Sequence, residues 1–207
     1  MPITQANDNN DTTLVGGTDA TVIGNSGNRL LVDALVSSSN TTLIDGVLAT
    51  YSASASWTFP ASATDIFTIT GSASKTIKIR RITLSFTATS GANATVVVTK
   101  RSTANTGGTS VARTGVPWDS TNAAPTATVL SYTANPTLGT LVGNVQTSTV
   151  YASGGGTIGS IPIILDYTGT AQQPLILRGT SQVVGINMNA TTYTGNVARA
   201  TVIWTEE

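Results

Sequence analysis

The fold is decided by the stretch Ile77-Lys78-Ile79-Arg80-Arg81-Ile82-Thr83-Leu84-Ser85-Phe86-Thr87, in which apolar and polar residues alternate. A period of two is typical of a half-buried β-strand. The alternation changes phase once, because Ile77 and Ile79 fall on odd positions whereas Ile82, Leu84 and Phe86 fall on even positions. One extra residue in a strand produces such a change, so we predict a β-bulge at Arg80-Arg81.

Similar alternation recurs along the chain from about residue 50. Tyr51, Ala53, Ala55, Trp57 and Phe59 alternate with Ser and Thr, and a second strand is predicted over 65–70. No window shows a convincing 3.6-residue apolar stripe. About eight to ten short strands predict an all-β protein, an antiparallel β-sandwich or jelly roll. The later strands are predicted at 126–133, 141–151, 160–167, 174–178, 181–188 and 196–205.

Two connections have recognisable turn or loop signals. Ser90-Gly91-Ala92-Asn93 predicts a turn that joins the 77–87 strand to an apolar run at 95–98, as a β-hairpin. Residues 102–125 contain Gly107-Gly108, Pro117 and Pro125 and predict one long loop. Long loops without secondary structure are uncommon and often functional.

The first 49 residues have a different pattern. Short apolar pieces such as Leu14-Val15 and Leu30-Leu31-Val32 are separated by Gly, Ser and Asn, and none is long enough to form its own core. We therefore predict an extended N-terminal arm over 1–49 and a β-sandwich domain over 50–207. We expect the arm to bury apolar side chains against another subunit or a larger particle, namely Leu14, Val22, Ile23, Leu30 and Val32.

The charges are also divided along the chain. Residues 1–65 contain six Asp and one Arg, whereas residues 66–118 contain seven Lys and Arg and no acid. In one interpretation the Asp lie in turns and the bases on solvated strand faces. In the other, an acidic arm docks on a basic body, its own or a neighbour's. The second interpretation predicts a basic surface that faces an acidic partner. The residues expected in this surface are Arg80, Arg81, Lys100 and Arg101.

The composition excludes most catalytic chemistry. The chain has no His and no Cys, and only 10% of its residues are charged, against about 25% in ordinary soluble domains. No Ser-His or Cys-His couple can form, and no imidazole or thiolate can bind a metal. We therefore expect no enzyme activity, no cofactor and no metal. Asp166, which ends an apolar run, is either a strand-end turn residue or a buried, paired carboxylate.

Charge and hydropathy limit the kinds of partner that this chain is expected to have. A formal net charge of +0 argues against sequence-independent nucleic-acid binding. No run approaches the roughly 18 apolar residues of a membrane span. Trp57 and Trp204 lie in alternating segments and are expected in the core. Trp118 lies in the predicted loop, where it either anchors that loop or contacts a partner, because aromatic anchors dominate interfaces.

Several segments together resemble virion structural proteins of tailed bacteriophages. The segment from Gly17 to Asn25, followed by Arg29 to Ala34, is similar to a module near the N-terminus of such proteins. Other segments that carry the resemblance are 65–72, 100–109, 132–137, 177–180 and the ending 203–207.

The resemblance implies a virion component assembled in the bacterial host cytoplasm. We expect a capsid decoration (cement) protein that binds the major capsid protein or other virion proteins, as a homo-oligomer and specifically a trimer. A head, neck or tail fibre attachment protein is the first alternative. A carbohydrate-binding module for host recognition is an alternative of another class.

Overall fold

A computed structural model describes residues 48–60, 64–89, 92–152, 162–168, 173–188 and 196–207. These residues form twelve strands and no helix, which confirms the predicted all-β class; the jelly-roll topology stays a prediction. Residues 1–47 of the predicted arm, with Leu14, Val22, Ile23, Leu30 and Val32, lie outside the described residues, whereas Ala49, predicted as the end of the arm, is the first residue of a strand. The strands are β1 (Ala49–Thr58), β2 (Asp65–Thr70), β3 (Ile77–Thr87), β4 (Ala92–Arg101), β5 (Thr109–Ala112), β6 (Val116–Pro117), β7 (Thr128–Ala134), β8 (Leu141–Ala152), β9 (Ile163–Asp166), β10 (Leu175–Leu177), β11 (Val183–Asn187) and β12 (Val197–Glu206).

The strands form two antiparallel sheets of six strands each. Sheet A has the order β10-β3-β12-β1-β6, and β9 pairs with the same edge of β3 as β10. Sheet B has the order β5-β7-β2-β11-β4-β8. Because β3 pairs with β12 on one edge and with both β9 and β10 on the other, it holds most of sheet A together.

The inner faces of the two sheets share one apolar core. Trp57 of β1 contacts Phe67 of β2 with ring centroids 5.6 Å apart, and its Nε1 donates a hydrogen bond to the Tyr132 carbonyl of β7. Tyr51 stacks on Trp204 within sheet A, at 5.8 Å. The core positions predicted for Trp57 and Trp204 are confirmed, since both side chains are buried.

The predicted bulge in β3 is present. Arg81 pairs with Ile203 of β12 and Ile79 pairs with the next residue, Trp204, so Arg80 is the extra residue. All five apolar side chains of β3 are buried as a result: Ile77, Ile79, Ile82, Leu84 and Phe86. The bulge thus turns two alternating segments of opposite phase into one strand with a single apolar face.

Two predictions about the connections were wrong. The strands β3 and β4 form no hairpin, because β3 lies in sheet A and β4 pairs with β8 and β11 in sheet B. A turn signal indicates a chain reversal but not which sheet receives the next strand. The segment 102–125 is not one loop, since it contains β5, which pairs with β7, and β6, which pairs with β1.

Deleting Arg80 should be tolerated, whereas deleting Thr83 should not. Without Arg80, the apolar residues of β3 alternate without interruption and keep their partners on β12. The free energy of unfolding should fall by about 1–2 kcal/mol, because the deletion removes the Arg80 carbonyl, which accepts a hydrogen bond from the Tyr167 N–H. Without Thr83, one half of β3 must turn its apolar side chains outward, at a cost above about 4 kcal/mol. Urea unfolding of both variants measures this, and equal destabilisation would contradict the role given to the bulge.

Candidate interaction surface

The outer face of sheet A carries hydroxyl groups in register with basic side chains. Arg199 of β12 lies between Ser56 of β1 and Ser85 of β3. A groove of about 430 Å³ runs beside it. The row next to Arg199 adds three hydroxyl side chains, from Ser54, Thr201 and Thr83.

The bulge adds two consecutive arginines to the same face. Arg81 pairs in register with Ile203, outside the core, and Arg80 Nε donates to Thr205 Oγ1 at 3.3 Å. Lys78 precedes them on the outer side of β3 and forms an ion pair with Glu207. We call this surface the arginine face; its basic residues are Lys78, Arg80, Arg81 and Arg199.

Two of these four cations have carboxylate partners. Arg81 Nη2 lies 2.9 Å from Asp166 Oδ2, and Lys78 is paired with Glu207. Neither Arg80 nor Arg199 forms an ion pair within the part of the chain that the structure describes. A surface with two uncompensated guanidinium groups among hydroxyls is suited to an anionic partner, because Arg donates several hydrogen bonds in a fixed fork.

The formal charges of the two parts of the chain are opposite. Residues 48–207 contain nine Lys and Arg and five Asp and Glu, a net charge of +4. Residues 1–47 contain five Asp and one Arg, a net charge of −4. The zero net charge of the whole chain therefore conceals a strong asymmetry, which favours association between unlike parts.

Arg101 does not belong to an interaction surface, and this corrects the prediction for that residue. Its side chain is 5% exposed and forms a two-pronged ion pair with Asp65, with Nε–Oδ2 at 2.7 Å and Nη2–Oδ1 at 2.9 Å. Lys100 is also used internally, because its Nζ donates to the Ile176 carbonyl of β10 at 3.0 Å and so links the two sheets. Lys100 and Arg101 therefore form contacts within the protein and do not belong to the arginine face.

Asp65 is the centre of a buried polar cluster that sequence reasoning missed. Besides Arg101, it accepts hydrogen bonds from Asn105 Nδ2 at 2.9 Å and Asn187 Nδ2 at 2.8 Å. Burial raises the pKa of Asp65, but the hydrogen bonds from Arg101, Asn105 and Asn187 outweigh it and lower the pKa overall. Gly185, inside a strand, was a sequence signal for this cluster, because a Cβ at this position would lie 2.7 Å from Asp65 Oδ2. A glycine inside a strand marks such a close approach.

A second buried carboxylate, Glu206, holds the segment before β7. It accepts hydrogen bonds from the backbone N–H groups of Thr126 and Ala127 and from Trp204 Nε1 at 2.9 Å. Burial raises the pKa of Glu206, and these hydrogen bonds lower it further than burial raises it. Tyr51 Oη also donates to the Ala123 carbonyl at 3.1 Å, so the segment is fixed to sheet A at two points.

Trp118 projects from this fixed segment. Its backbone N–H donates to the Thr50 carbonyl at 2.9 Å, whereas its side chain is 64% exposed. The backbone therefore anchors the segment and the indole ring is available to a partner. Asp119 beside it accepts hydrogen bonds from Thr121 in an Asx-turn. Asp166 likewise accepts from Thr168 and ends β9, as expected for a strand-end turn residue.

The carboxylates found here are structural. Asp65 and Glu206 are saturated with donors, and the exposed Asp119 and Asp166 close local turns. Among the described residues, no group of three or more carboxylates is placed to hold a metal ion, and no helix has the length and hydropathy to cross a membrane. Comparison of the chain with protein-family models, curated proteins and solved structures found no match.

Replacing Asp65 with Asn should destabilise the protein by about 3–5 kcal/mol at pH 7, because it leaves Arg101 buried without a counter-ion. The folded-state pKa of Asp65 is lowered, so its contribution is present above the unfolded carboxyl pKa of about 4 and is lost as pH falls through the folded pKa. The difference between wild type and Asp65→Asn should therefore shrink below about pH 4. Urea unfolding across pH measures this. Asp119→Asn, which removes an exposed carboxylate, is the control and should change little; equal effects would contradict the pairing.

Proposed function

We propose that this chain is a non-enzymatic structural subunit of a bacteriophage virion, and specifically a capsid decoration (cement) protein. In this role it binds the assembled shell and stabilises it through the N-terminal arm and through contacts of the sandwich. The observation that carries the proposal is the arginine face, where Arg80 and Arg199 have no carboxylate partner among the described residues. Its partner is an acidic surface of the major capsid protein or of another virion protein.

Three features support an assembly role. The resemblance of several segments to virion structural proteins supports this class of protein. The buried clusters around Asp65 and Glu206 hold several strands and connecting segments together, because both carboxylates accept hydrogen bonds from donors within the chain. The charge asymmetry between residues 1–47 and 48–207 gives a reason for neighbouring subunits to attract one another. Weak contacts of this kind become strong when a lattice repeats them.

Binding to purified empty capsids should weaken as salt rises, and Arg80→Gln/Arg199→Gln should weaken it further at low salt. Solvent-accessible cations contribute about 0–1 kcal/mol each, so the expected loss from the half-buried Arg80 and the exposed Arg199 is at most about thirty-fold in affinity per site. The salt dependence should flatten in the variant, because screening acts on the contacts that it removes. Sedimentation of capsids with bound protein, titrated against NaCl, measures both effects.

The matched control is Lys75→Gln/Arg178→Gln, which removes the same formal charge from positions just before β3 and just after β10. If net charge alone governs attachment, both double variants lose affinity equally. If the arginine face binds, the Arg80 and Arg199 variant loses more. Flat and identical salt curves for wild type and both variants would contradict an electrostatic contact.

Removing residues 1–47 should leave a folded body that attaches to capsids much more weakly. The core is formed by side chains of residues 51–204, so the melting temperature should change little. Attachment should fall by at least tenfold, since the apolar residues of the arm are lost. Thermal unfolding of the truncated protein measures the first expectation, on stability, and capsid binding measures the second, on attachment. An unfolded truncated protein would show that residues 1–47 belong to the domain.

A carbohydrate-binding module is the second candidate, and Trp118 is the observation that favours it. An exposed indole beside the polar turn of Asp119 and Thr121 could stack on a sugar ring. Glycan-array binding by the isolated protein, lost in Trp118→Ala, would favour this function over capsid decoration. Capsid binding without glycan binding would favour the first proposal.

A further inference from the structure

Among the strands that the structure describes, β8 is the longest one at the edge of a sheet. It has twelve residues and, among the described strands, pairs only with β4. The other outermost strands are much shorter, with four residues in β5, two in β6, four in β9 and three in β10. About half of the N–H and C=O groups of an edge strand point away from its neighbour, so β8 offers a long row of hydrogen-bonding groups that no other described strand pairs with.

The sequence of β8 lacks two of the usual protections of an edge, charged residues and proline, and a third, the β-bulge, occurs only in its first half. Leu141–Ala152 contains no charged residue and no proline, although charges and prolines are what most monomeric proteins place on exposed edges. Two register shifts against β4 occur, and both fall in the first half of β8, near Val142 and Val145. From Gln146 to Ala152 the pairing with β4 is regular, so this half is a straight template for another strand.

The side chains of β8 are unusually exposed for an apolar strand. Val142 and Tyr151 are 63% and 61% exposed, and Leu141 and Val145 are also exposed. These four account for nearly half of the nine large apolar side chains that are exposed in the described part of the chain. Exposed apolar side chains beside unpaired backbone groups indicate a surface that is covered in the assembled protein.

We propose that β8 pairs with the β8 strand of a second copy of this chain, antiparallel and about a two-fold axis. Such pairing brings residues of the same strand opposite one another, so it requires a strand that does not repel itself. β8 meets this requirement because it has no charge, and its regular half presents Thr147 and Thr149, whose hydroxyls form favourable cross-strand pairs. A two-fold contact is self-complementary and closes, which avoids open-ended fibres.

This contact is separate from the arginine face, which lies on the outer side of sheet A, whereas β8 is the edge of sheet B. A subunit can therefore join a second copy and still bind the capsid. A trimer has no two-fold axis, so the β8 contact either links trimers or replaces them, and it predicts an even number of subunits. The proposal goes beyond the proposed function, because it concerns self-association and holds for any virion location.

The test is charge complementation at Thr149, which is exposed on β8. Thr149→Lys places like charges close together across the two-fold axis, and so does Thr149→Glu. For each full-length variant alone, we expect the dissociation constant of self-association to be at least tenfold higher than that of wild type. An equimolar mixture of the two variants should regain association. Analytical ultracentrifugation at low salt measures the subunit number. Thr58→Lys, an exposed position on β1 with the same substitution, is the control and should associate as wild type does.

Circular dichroism and thermal unfolding confirm that each variant is folded, and the Thr147→Lys and Thr147→Glu pair repeats the test if one is not. A monomeric wild type, or Thr149 variants that associate like wild type, would overturn the proposal. So would a mixture that fails to regain association, since another segment or another protein would then be the partner of β8. These outcomes leave the capsid-binding test of the arginine face unaffected, so the two proposals fail independently.

Discussion

The structure depends on β3 presenting a single apolar face although its sequence contains one extra residue. This strand pairs along one edge with β12 and along the other with β9 and β10, so its orientation sets which side of sheet A faces the core. If Arg80 were kept but paired as in a regular strand, without the bulge, either Ile77 and Ile79 or Ile82, Leu84 and Phe86 would face solvent. With it, all five are buried and both arginines lie outside. The same local feature therefore completes the core and supplies two of the four basic residues of the arginine face.

Two buried carboxylates fix the connecting segments of a chain that has no disulfide. Asp65 ties Asn105, which follows β4, to Asn187 at the end of β11, and Glu206 holds the backbone of Thr126 and Ala127. Placing a charge in the interior is costly unless its hydrogen bonds are satisfied, and a satisfied charge restricts the arrangement of its partners. The segment that carries Trp118 is held in this way, although its sequence is rich in Gly, Pro, Ser and Thr.

The placement of charge follows a consistent division. Inside the sandwich each described charge has a partner of the same chain, such as Arg101 with Asp65. On the outer face of sheet A, Arg80 and Arg199 have no carboxylate partner in the described part. The proposed assembly role requires such a division, because interactions satisfied within the chain contribute to folding and the remaining charges are available to a partner. The uncharged edge at β8 is the second, chemically different contact that we propose.

The sequence by itself determined the all-β class, the strand over 65–70, the bulge at Arg80-Arg81 and the burial of Trp57 and Trp204. These follow from local alternation, because side chains in a strand point to opposite faces in turn. It also limited the chemistry, since His and Cys are missing from the composition. Only the tertiary structure decided that β3 and β4 belong to different sheets, that residues 102–125 contain two strands, and that Arg101 is buried while Arg80 is not. These outcomes depend on which distant segments pair: Asp65 and Arg101 are 36 positions apart, and periodicity within a strand carries no information about the partner across the sheet.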